Sequence, residues 1–455
     1  MTQVTEPEVG ALAPEPIPAT TAPFGIRDRA FIPRERYYDR SFFELEKQQL
    51  WPRVWQVACR LEEIPRVGDY VEYSVVGYSV LVVRTGADEV KAYQNACRHR
   101  ATQLAVDCGS FRGGKIVCPF HGWRWNLDGS IDGLYGREGF DPHALSELDL
   151  IECRVDTWAG CVFINMDPQA PPLAEAMSPL PEHLDPLRVG QMRVHWWKAV
   201  RLEANWKLAI EAFMEGWHLM ATHPQVVSGA GEAWPADFLS VQKSFENGHA
   251  MLAQGQHDDH ENLADTGAAE AEKALAFMQV VCEGLQAMVL EKDVAVVEGL
   301  RTTDCAPHEF SEKMIDALYA WNAGAGITFP ERTAENLALW GSQWFVFPNF
   351  MIHPMYGNAI SYRVRPDGDN PEACYFEVWS LTLKPDDEEI TRPTFGGVIP
   401  AGSQEWPLIP RQDFVNIARQ QRGLHTPGYK AQRLARRYED GIANLHVHLD
   451  TYLAR

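Results

Sequence analysis

Four potential metal ligands within one short stretch constrain this chain more than any other feature of its sequence. Cys97 and His99 form a Cys-x-His pair, and Cys118 and His121 form a Cys-x-x-His pair eighteen residues further on. Two thiolates and two imidazoles can bind iron or zinc. Consecutive glycines between the two pairs permit a turn. The stretch therefore predicts a metal centre built from two loops.

The order of the ligands along the chain distinguishes an iron cluster from a zinc site. In a Rieske cluster two Cys hold one iron and two His hold the other, and each loop supplies one ligand of each kind. Structural zinc sites more often group Cys with Cys and His with His. Because both pairs here are mixed, we expect a Rieske [2Fe-2S] cluster held by Cys97, His99, Cys118 and His121. A structural zinc site is the alternative at this point.

The motifs CRHR at residues 97–100 and CPFHGW at residues 118–123 carry a family resemblance. They resemble the Rieske domain of the Rieske non-haem iron oxygenases, the large (alpha) subunits of the aromatic ring-hydroxylating dioxygenase family. Respiratory Rieske proteins have an extra Cys in each ligand loop, joined as a disulfide, whereas Thr102 and Phe120 stand there in this chain. The oxygenase type therefore fits better, and we expect Cys108 to be an ordinary buried thiol.

A second group of possible ligands follows about a hundred residues later. Within NWKLAIEAFMEGWHLMATHPQ, Glu215 and His218 are three residues apart and would touch on a helix, whereas His218 and His223 would point apart. Pro224 disfavours helical backbone at His223, so a helix ending there would bring the two imidazoles together. Many His are hydrogen-bonded core or surface groups. A cluster motif in the same chain favours a non-haem iron site, which needs open coordination positions for O₂.

The same oxygenase family carries Asn-Trp-Lys, then an acid, two residues, His, four residues and His. Residues 205–207, Glu215, His218 and His223 match this pattern. The resemblance implies that the two His bind the mononuclear iron. It also implies that Glu215 acts as a catalytic bridge from His218 to the cluster ligand His121 of a neighbouring subunit. The family residue is commonly Asp, and Glu is one methylene longer.

Spacing alone does not identify the carboxylate ligand of this iron. Asp413 is the ligand that the resemblance indicates, because the family's carboxylate opens a C-terminal helix similar to RQDFVNIARQQRGL. An alternative role for Asp413 is that of an acid favoured by the helix dipole in a first turn. The other candidate carboxylates are Asp386, Asp387, Glu388 and Glu405.

The distribution of strand and helix signals predicts an α+β protein. Short Val- and Tyr-rich runs precede and follow the cluster motif, and helical runs and further strands come later. A single helix is expected over IEAFMEGWHLMAT, another helical stretch over residues 256–300, and a final one from Gln412 to Leu453. With the resemblance, these signals imply a small antiparallel β Rieske [2Fe-2S] domain inserted before a larger α+β helix-grip (START-like) catalytic domain.

Four segments of the chain follow from these signals. Residues 1–23, rich in Pro and small residues, are expected to form a disordered tail. Residues 24–54 are expected to form an N-terminal helical segment that packs on the catalytic domain. The Rieske domain is expected at 55–168 and the catalytic mononuclear iron domain at 169–455.

The amino-acid composition limits which binding partners and which cellular compartment are expected. There are 41 basic and 62 acidic residues, and the net charge of −21 disfavours nucleic acid as a partner. Nine cysteines without a compact framework favour a reducing compartment. The start MTQVTEPEVG lacks the pattern of a signal peptide, and no run of eighteen apolar residues is present. We expect a cytoplasmic protein without a membrane span.

The resemblance implies a terminal oxygenase. Electrons from a ferredoxin, an NAD(P)H-dependent reductase or both would pass through the cluster to a non-haem Fe(II), where O₂ would be activated beside an apolar small-molecule substrate. Dihydroxylation of an aromatic or polycyclic substrate is the expected reaction, and monooxygenation or O-demethylation of an aromatic or steroid substrate is the alternative. A homotrimer or an α3β3 assembly with a small beta subunit is implied. A simple electron carrier and a zinc-stapled binding module are the other classes considered.

Overall fold

The structure is a computed structural model. It describes residues 17–229, 241–253, 267–303, 305–306 and 309–454. Most of the predicted tail, residues 1–16, and the start of the predicted helical stretch, residues 256–266, lie outside the described residues.

The strands of the described residues form two large sheets and two small ones, with antiparallel pairing throughout except for the parallel pair of Arg193–Leu202 and Phe395–Val398. In chain order they are β1 (Phe31–Pro33), β2 (Gln56–Arg60), β3 (Asp69–Val75), β4 (Tyr78–Arg84), β5 (Val90–Gln94), β6 (Cys108–Ser110), β7 (Lys115–Val117), β8 (Arg124–Asn126), β9 (Ile131–Gly133), β10 (Glu152–Trp158), β11 (Cys161–Asn165), β12 (Arg193–Leu202), β13 (Val241–Ser244), β14 (Ala250–Ala253), β15 (Gln343–Val346), β16 (Phe350–Met355), β17 (Asn358–Asp367), β18 (Asn370–Thr382), β19 (Phe395–Val398) and β20 (Ala431–Arg433).

The α-helices lie mainly in the C-terminal part. They are α1 (Arg40–Leu45), α2 (Leu173–Ala176), α3 (Leu180–Leu184), α4 (Trp206–Glu211), α5 (Leu219–Thr222), α6 (Pro224–Gly229), α7 (Gly267–Leu285), α8 (Glu291–Glu298), α9 (Phe310–Gly324), α10 (Ala334–Ala338), α11 (Leu408–Leu424) and α12 (Arg436–Leu453). None of the helices described has the length and apolar character needed to cross a bilayer.

The first large sheet has the strand order β2-β11-β10-β5-β4-β3-β6, and a smaller sheet, β7-β8-β9, lies beside it. Successive side chains of β4 alternate between the two faces of the sheet, so Leu81 and Val83 pack with Tyr93, Ile116 and Trp125 in one core. This core supports the two loops that carry the cluster motif. A small antiparallel β domain was predicted, and the structure confirms it.

The second large sheet has the order β13-β14-β15-β16-β17-β18-β12-β19. The predicted hairpin at Asp367-Gly368 joins β17 to β18, and Asp367 pairs with Asn370. Helices α4 and α11 pack against this sheet and against each other, and α7 packs on α11. The expected larger α+β domain is confirmed. Its helices α4, α7 and α11 come from three separate chain segments and lie together on one side of the sheet.

The Asn-Trp-Lys motif fastens this domain to the N-terminal segment. The Asn205 side chain caps α4 by accepting the Lys207 backbone N–H at 3.0 Å. The Lys207 ammonium donates to the Glu46 carboxylate at 2.6 Å, and both side chains are fully buried. Trp206 packs edge-on against Trp51 with ring centroids 5.1 Å apart. The motif is therefore a structural anchor that fixes where α4 begins.

A second buried network joins the N-terminal segment to α4 and α12. Arg36 Nε donates to His446 Nδ1 at 2.9 Å, so the proton of that imidazole lies on Nε2, which donates to Glu211 at 2.8 Å. The Tyr37 hydroxyl also donates to Glu211, and Arg36 pairs with Asp450 at 2.6 Å. Burial raises the pKa of Glu211 to about 7 despite these partners. These hydrogen bonds connect the end of α4 to the N-terminal segment and to the C-terminal helix α12.

The single helix predicted over IEAFMEGWHLMAT is wrong. Helix α4 ends at Glu211 and α5 begins only at Leu219. Glu215 accepts the backbone N–H groups of Trp217 and His218, which replaces the helical hydrogen bonds of this turn. The predicted end of the helix at His223 is confirmed, because its φ of −121° and ψ of 60° are not helical.

Two further predictions also need correction. The final helical region is not continuous, because β20 separates α11 from α12 and pairs with β1. Cys108 is not buried but exposed, since it lies in the short edge strand β6. The predicted helical stretch before residue 300 is confirmed where it is described, as α7 and α8.

Candidate metal centres

The two loops with the Cys-x-His and Cys-x-x-His pairs meet as the spacing predicts. Each loop closes on itself, since Cys97 N–H donates to Thr102 O and Cys118 N–H donates to Trp123 O, both at 2.8 Å. The rings of His99 and His121 lie 4.7 Å apart between their centroids. The thiols of Cys97 and Cys118 are also close enough to interact, so the two loops bring the Cys pair together and the His pair together.

The donor atoms of this centre fit a Rieske cluster. His99 Nδ1 is buried and has no hydrogen-bond partner, which would cost free energy unless a metal used its lone pair. Burial raises the pKa of the Cys118 thiol, but the backbone N–H groups of His121 and Phe120 outweigh burial and lower it. This environment favours a thiolate at Cys118, whereas burial raises the pKa of the Cys97 thiol beside it. The ring of Trp123 stacks on His99 at 4.9 Å and fixes its orientation.

One edge of the cluster centre is open to the surface. His121 is exposed, and its Nε2 lies 3.0 Å from a guanidinium nitrogen of Arg100. Phe120 beside it is 60% exposed and packs against both the Arg100 guanidinium and the His121 ring. These side chains form an apolar and basic face at the cluster centre.

The second centre brings together His218, His223 and Asp413. One possible ligand atom from each lies within 4.8 Å of the others. Asp413 Oδ1 is 2.9 Å from His223 Nε2 and 3.7 Å from His218 Nε2. His218 precedes α5, His223 follows it, and Asp413 lies on the inner face of α11. Two imidazoles and a carboxylate on one side of a metal leave its other side open.

The second nitrogen of each imidazole is held by a side chain. The Glu215 carboxylate lies 2.8 Å from His218 Nδ1, and the side-chain amide oxygen of Gln412 accepts a hydrogen bond from His223 Nδ1 at 2.9 Å. Both Nε2 atoms are thereby left for a metal. His223 Nε2 is buried without a hydrogen-bond partner, so this donor set also fits a bound cation. Sequence reasoning missed Gln412, although it stands next to Asp413.

Of the described carboxylates, Asp413 is the one placed beside the two imidazoles. Its alternative role as a first-turn acid is not supported, because Asp413 is the sixth residue of α11 and is buried. Among the other candidates, Asp386 contacts Thr328 and Glu388 pairs with Lys384 near the surface.

Gln412→Leu is expected to weaken Fe(II) binding about 10- to 100-fold, because loss of the acceptor releases the orientation and tautomer of His223. Anaerobic titration of the metal-free protein would measure this. Gln420→Leu is the control, since Gln420 lies exposed on the same helix. Equal affinities in the two variants would show that Gln412 does not position the ligand.

A cavity of about 170 Å³ adjoins the second centre. Three side chains of α7, Phe277, Val281 and Leu285, form one wall at helical spacing. Of the apolar residues around the His pair, Phe213 and Leu219 line the cavity, whereas Trp217 and Met220 are exposed and Met214 is core.

The chain matches two known protein families. The family described as the ring hydroxylating alpha subunit (catalytic domain) matches residues 189–455, and the Rieske [2Fe-2S] domain family matches residues 54–138. The chain belongs to the ring-hydroxylating alpha subunits. As such it is an oxygenase subunit with a Rieske cluster and a mononuclear iron as its cofactors, as predicted. A simple electron carrier and a zinc-stapled module are therefore excluded.

Several curated relatives of this alpha subunit are named for what they act on. The glycine betaine monooxygenase oxygenase subunit of Pseudomonas aeruginosa strain PAO1 is 32% identical over 46% of this chain and 48% of that protein. The carnitine monooxygenase oxygenase subunit of Escherichia coli K12 is 31% identical over 42% and 52%. The 2-aminobenzenesulfonate 2,3-dioxygenase subunit alpha of an Alcaligenes species is 29% identical over 50% and 59%. The chain thus spans about half the length of these relatives.

Solved structures show the same fold over nearly the whole alpha subunit. A quaternary ammonium Rieske monooxygenase superposes with a TM-score of 0.63 at 16% identity, covering 93% of this chain and 96% of the other. Naphthalene 1,2-dioxygenase with bound indole gives a TM-score of 0.62 at 16% identity, covering 94% and 92%. At such identities the likeness concerns the fold alone.

Proposed function

We propose that this alpha subunit is the terminal oxygenase of a Rieske monooxygenase system and inserts one atom of O₂ into a small organic substrate. The observation that carries the proposal is the group His218, His223 and Asp413, open on one side to a largely apolar cavity. Monooxygenation is better supported than the dihydroxylation expected at first, because the relatives above include two monooxygenases with over 30% identity.

In this proposal Cys97, His99, Cys118 and His121 hold the Rieske cluster. His218, His223 and Asp413 hold the mononuclear iron. When bound, the cluster carries electrons singly and the iron activates O₂, so that one oxygen atom enters the substrate and the other leaves as water with two electrons and two protons. The protein contributes ligation, orientation and exclusion of bulk water.

The electrons are proposed to come from a ferredoxin or a reductase and to cross between subunits. Alpha subunits of this type are typically supplied by such donors and form multimers. The open face at Arg100, Phe120 and His121 supports a contact with a neighbouring chain, since a large exposed ring there would be covered. We propose that the neighbour contributes Glu215 and His218 to this contact, within a trimer.

Glu215→Gln is expected to keep both metals bound, because the Gln side chain retains an oxygen acceptor for His218 Nδ1, and to slow reoxidation of the reduced cluster by about tenfold or more, because the charge of the bridging carboxylate is lost. Single-turnover stopped-flow absorption with substrate and O₂ measures this step. Glu283→Gln on the exposed face of α7 is the matched control. Unchanged reoxidation in the Glu215 variant would rule out the bridging role.

The cavity supports a small substrate. At about 170 Å³ it lies below the range of about 300–1,000 Å³ usual for ligand pockets, which disfavours steroids and large polycyclic compounds. Its described lining includes aliphatic and aromatic side chains and no Lys or Arg. A compact molecule of one ring or fewer, without a strong negative charge, fits these properties.

The proposal is tested with the purified protein, a surrogate ferredoxin and reductase, ¹⁸O₂, and a panel of monocyclic aromatic, methoxylated and amine compounds. One labelled oxygen per product, or loss of a methyl group as labelled formaldehyde, supports monooxygenation. Two labelled oxygens in one product would make the protein a dioxygenase. Absence of labelled product from a protein with full metal content would overturn the proposal for these substrate classes.

A further inference from the structure

Gln343 and His353 are two polar side chains that stand side by side in the mainly apolar wall that the sheet contributes to the cavity. Leu252 pairs with Gln343 across β14 and β15, and the ladder between β15 and β16 places Gln343 beside His353. Side chains at such paired positions point to the same face of a sheet. All three residues line the cavity beside the second metal centre. The proposed function assigns no role to either polar residue.

The hydrogen bonding of His353 fixes its tautomer. His353 Nε2 lies 2.7 Å from the carbonyl oxygen of Gly341, which can only accept, so Nε2 carries a proton. Burial lowers the pKa of the ring to about 4, so the imidazole is neutral near pH 7. Nδ1 is therefore a lone-pair acceptor. The carbonyl partner at Gly341 therefore fixes which ring nitrogen carries the proton.

The acceptor Nδ1 of His353 is left without a hydrogen-bond partner from the described protein. No described residue donates a hydrogen bond to this atom, yet it is not among the enclosed atoms that lack a partner. The residues on either side of His353 in β16 are buried, whereas its side chain is partly accessible. Since His353 lines the cavity, the cavity is where this accessibility lies.

Gln343 adds a second acceptor. Its amide nitrogen donates to the carbonyl oxygen of Phe213, so its oxygen is the free end. The Tyr362 hydroxyl also lines the cavity and can accept or donate. Apart from the metal centre, the cavity therefore presents two fixed acceptors, His353 Nδ1 and the Gln343 side-chain oxygen, beside a hydroxyl that can act either way.

We propose that His353 Nδ1, assisted by the Gln343 oxygen, is the recognition point for the substrate, and that this substrate presents an N–H or O–H donor to it. The inference rests on the proposed function of the same site and names its substrate class: small hydroxylated or amino compounds. A fully methylated ammonium group, which has no N–H, cannot make this hydrogen bond. The selectivity therefore differs from that of an enzyme that reads only a quaternary ammonium group.

The physical reason for selectivity is the cost of an unpaired acceptor. A ligand without the donor would strip water from Nδ1 and leave it without a partner. Loss of such a hydrogen bond is expected to lower kcat/KM by about 10- to 100-fold. An apolar contact of the same size would discriminate less.

The test uses matched pairs of compounds: a phenol with its methyl ether, and a primary amine with its trimethylammonium analogue. Labelled-oxygen incorporation gives kcat/KM, and calorimetry on the oxygen-free holoenzyme gives the dissociation constant without turnover. The wild type is expected to favour the donor-bearing member by about 10- to 100-fold in both measurements. No preference within any pair would overturn the proposal.

His353→Phe keeps a ring and removes the acceptor, so the preference is expected to vanish while iron content and cluster spectrum stay normal. His353→Asn retains a carbonyl acceptor and is expected to restore part of the preference, which a merely structural role would not do. An equal loss for both members of each pair would overturn the proposal. If no compound yields labelled product, the proposed function fails, and the calorimetric preference still decides the role of His353.

Discussion

Asp413→Ala is expected to abolish turnover and remove the mononuclear iron while leaving the visible spectrum of the Rieske cluster unchanged. Asp413 is the one carboxylate of the described residues beside His218 and His223, and it lies 2.9 Å from His223 Nε2. Two neutral imidazoles alone bind Fe(II) weakly, since the carboxylate supplies the negative charge of this ligand set. Loss of a direct ligand should exceed the roughly 10- to 100-fold effect of losing a residue that only orients one.

Iron analysis, the cluster spectrum and labelled-oxygen incorporation measure the three parts of this result. Asp386→Ala is the control, because Asp386 was an alternative ligand candidate and the structure places it against Thr328 at the surface. Its variant should retain iron and turnover. Full turnover in the Asp413 variant would disprove the assignment, and loss of the cluster spectrum would indicate a folding defect instead.

Lys207→Met is expected to destabilise the protein by about 3–5 kcal/mol, because it leaves the Glu46 carboxylate buried without its partner. The ammonium and carboxylate are 2.6 Å apart, and neither side chain is accessible to solvent. Burial lowers the pKa of Lys207 although the Glu46 carboxylate opposes it, so the charge of this lysine depends on its partner. Methionine preserves most of the volume of the lysine.

Urea unfolding monitored by Trp fluorescence measures this loss. The double variant Glu46→Gln with Lys207→Met is the control, since it removes both charges and should recover a large part of the stability. If the single and double variants lose the same free energy, the effect comes from packing and not from an unpaired charge. Reversibility has to be checked first, because proteins of this size often unfold irreversibly.

The cluster centre could be predicted from sequence because its ligands are local. Cys97 and His99 share one short loop, Cys118 and His121 share another, and each loop closes through its own backbone hydrogen bonds. The order of residue types then indicated the cofactor. By contrast, the exposure of Cys108 depends on its place at a sheet edge, which the local sequence does not encode.

The iron centre could be predicted only in part. The end of the helix at His223 follows from the next residue, a proline, but the opening of the chain before His218 does not. There the Glu215 carboxylate competes with the backbone carbonyls for N–H groups, and helix propensity does not report such a contact. Asp413 lies far along the chain, so spacing could not select it and the family resemblance was required.

The residues that support the site were beyond sequence reasoning for a similar reason. Gln412 and His353 act through partners on other elements, His223 in one case and Gly341 in the other. Polar residues in helices and strands are common, and only the folded contacts distinguish these two. Sheet register in particular decides that His353 faces the cavity.

The anchor formed by Lys207 and Glu46 makes the iron-binding unit discontinuous in sequence. Together with the contacts of Arg36 and Tyr37, it means that part of this unit is encoded before the Rieske domain and the remainder after it. A protein fragment that starts at residue 189 would therefore contain buried charged side chains without their ion-pair partners. An excised iron domain for spectroscopy or directed evolution should retain residues 31–50, joined by a flexible linker across the gap where the cluster domain was removed.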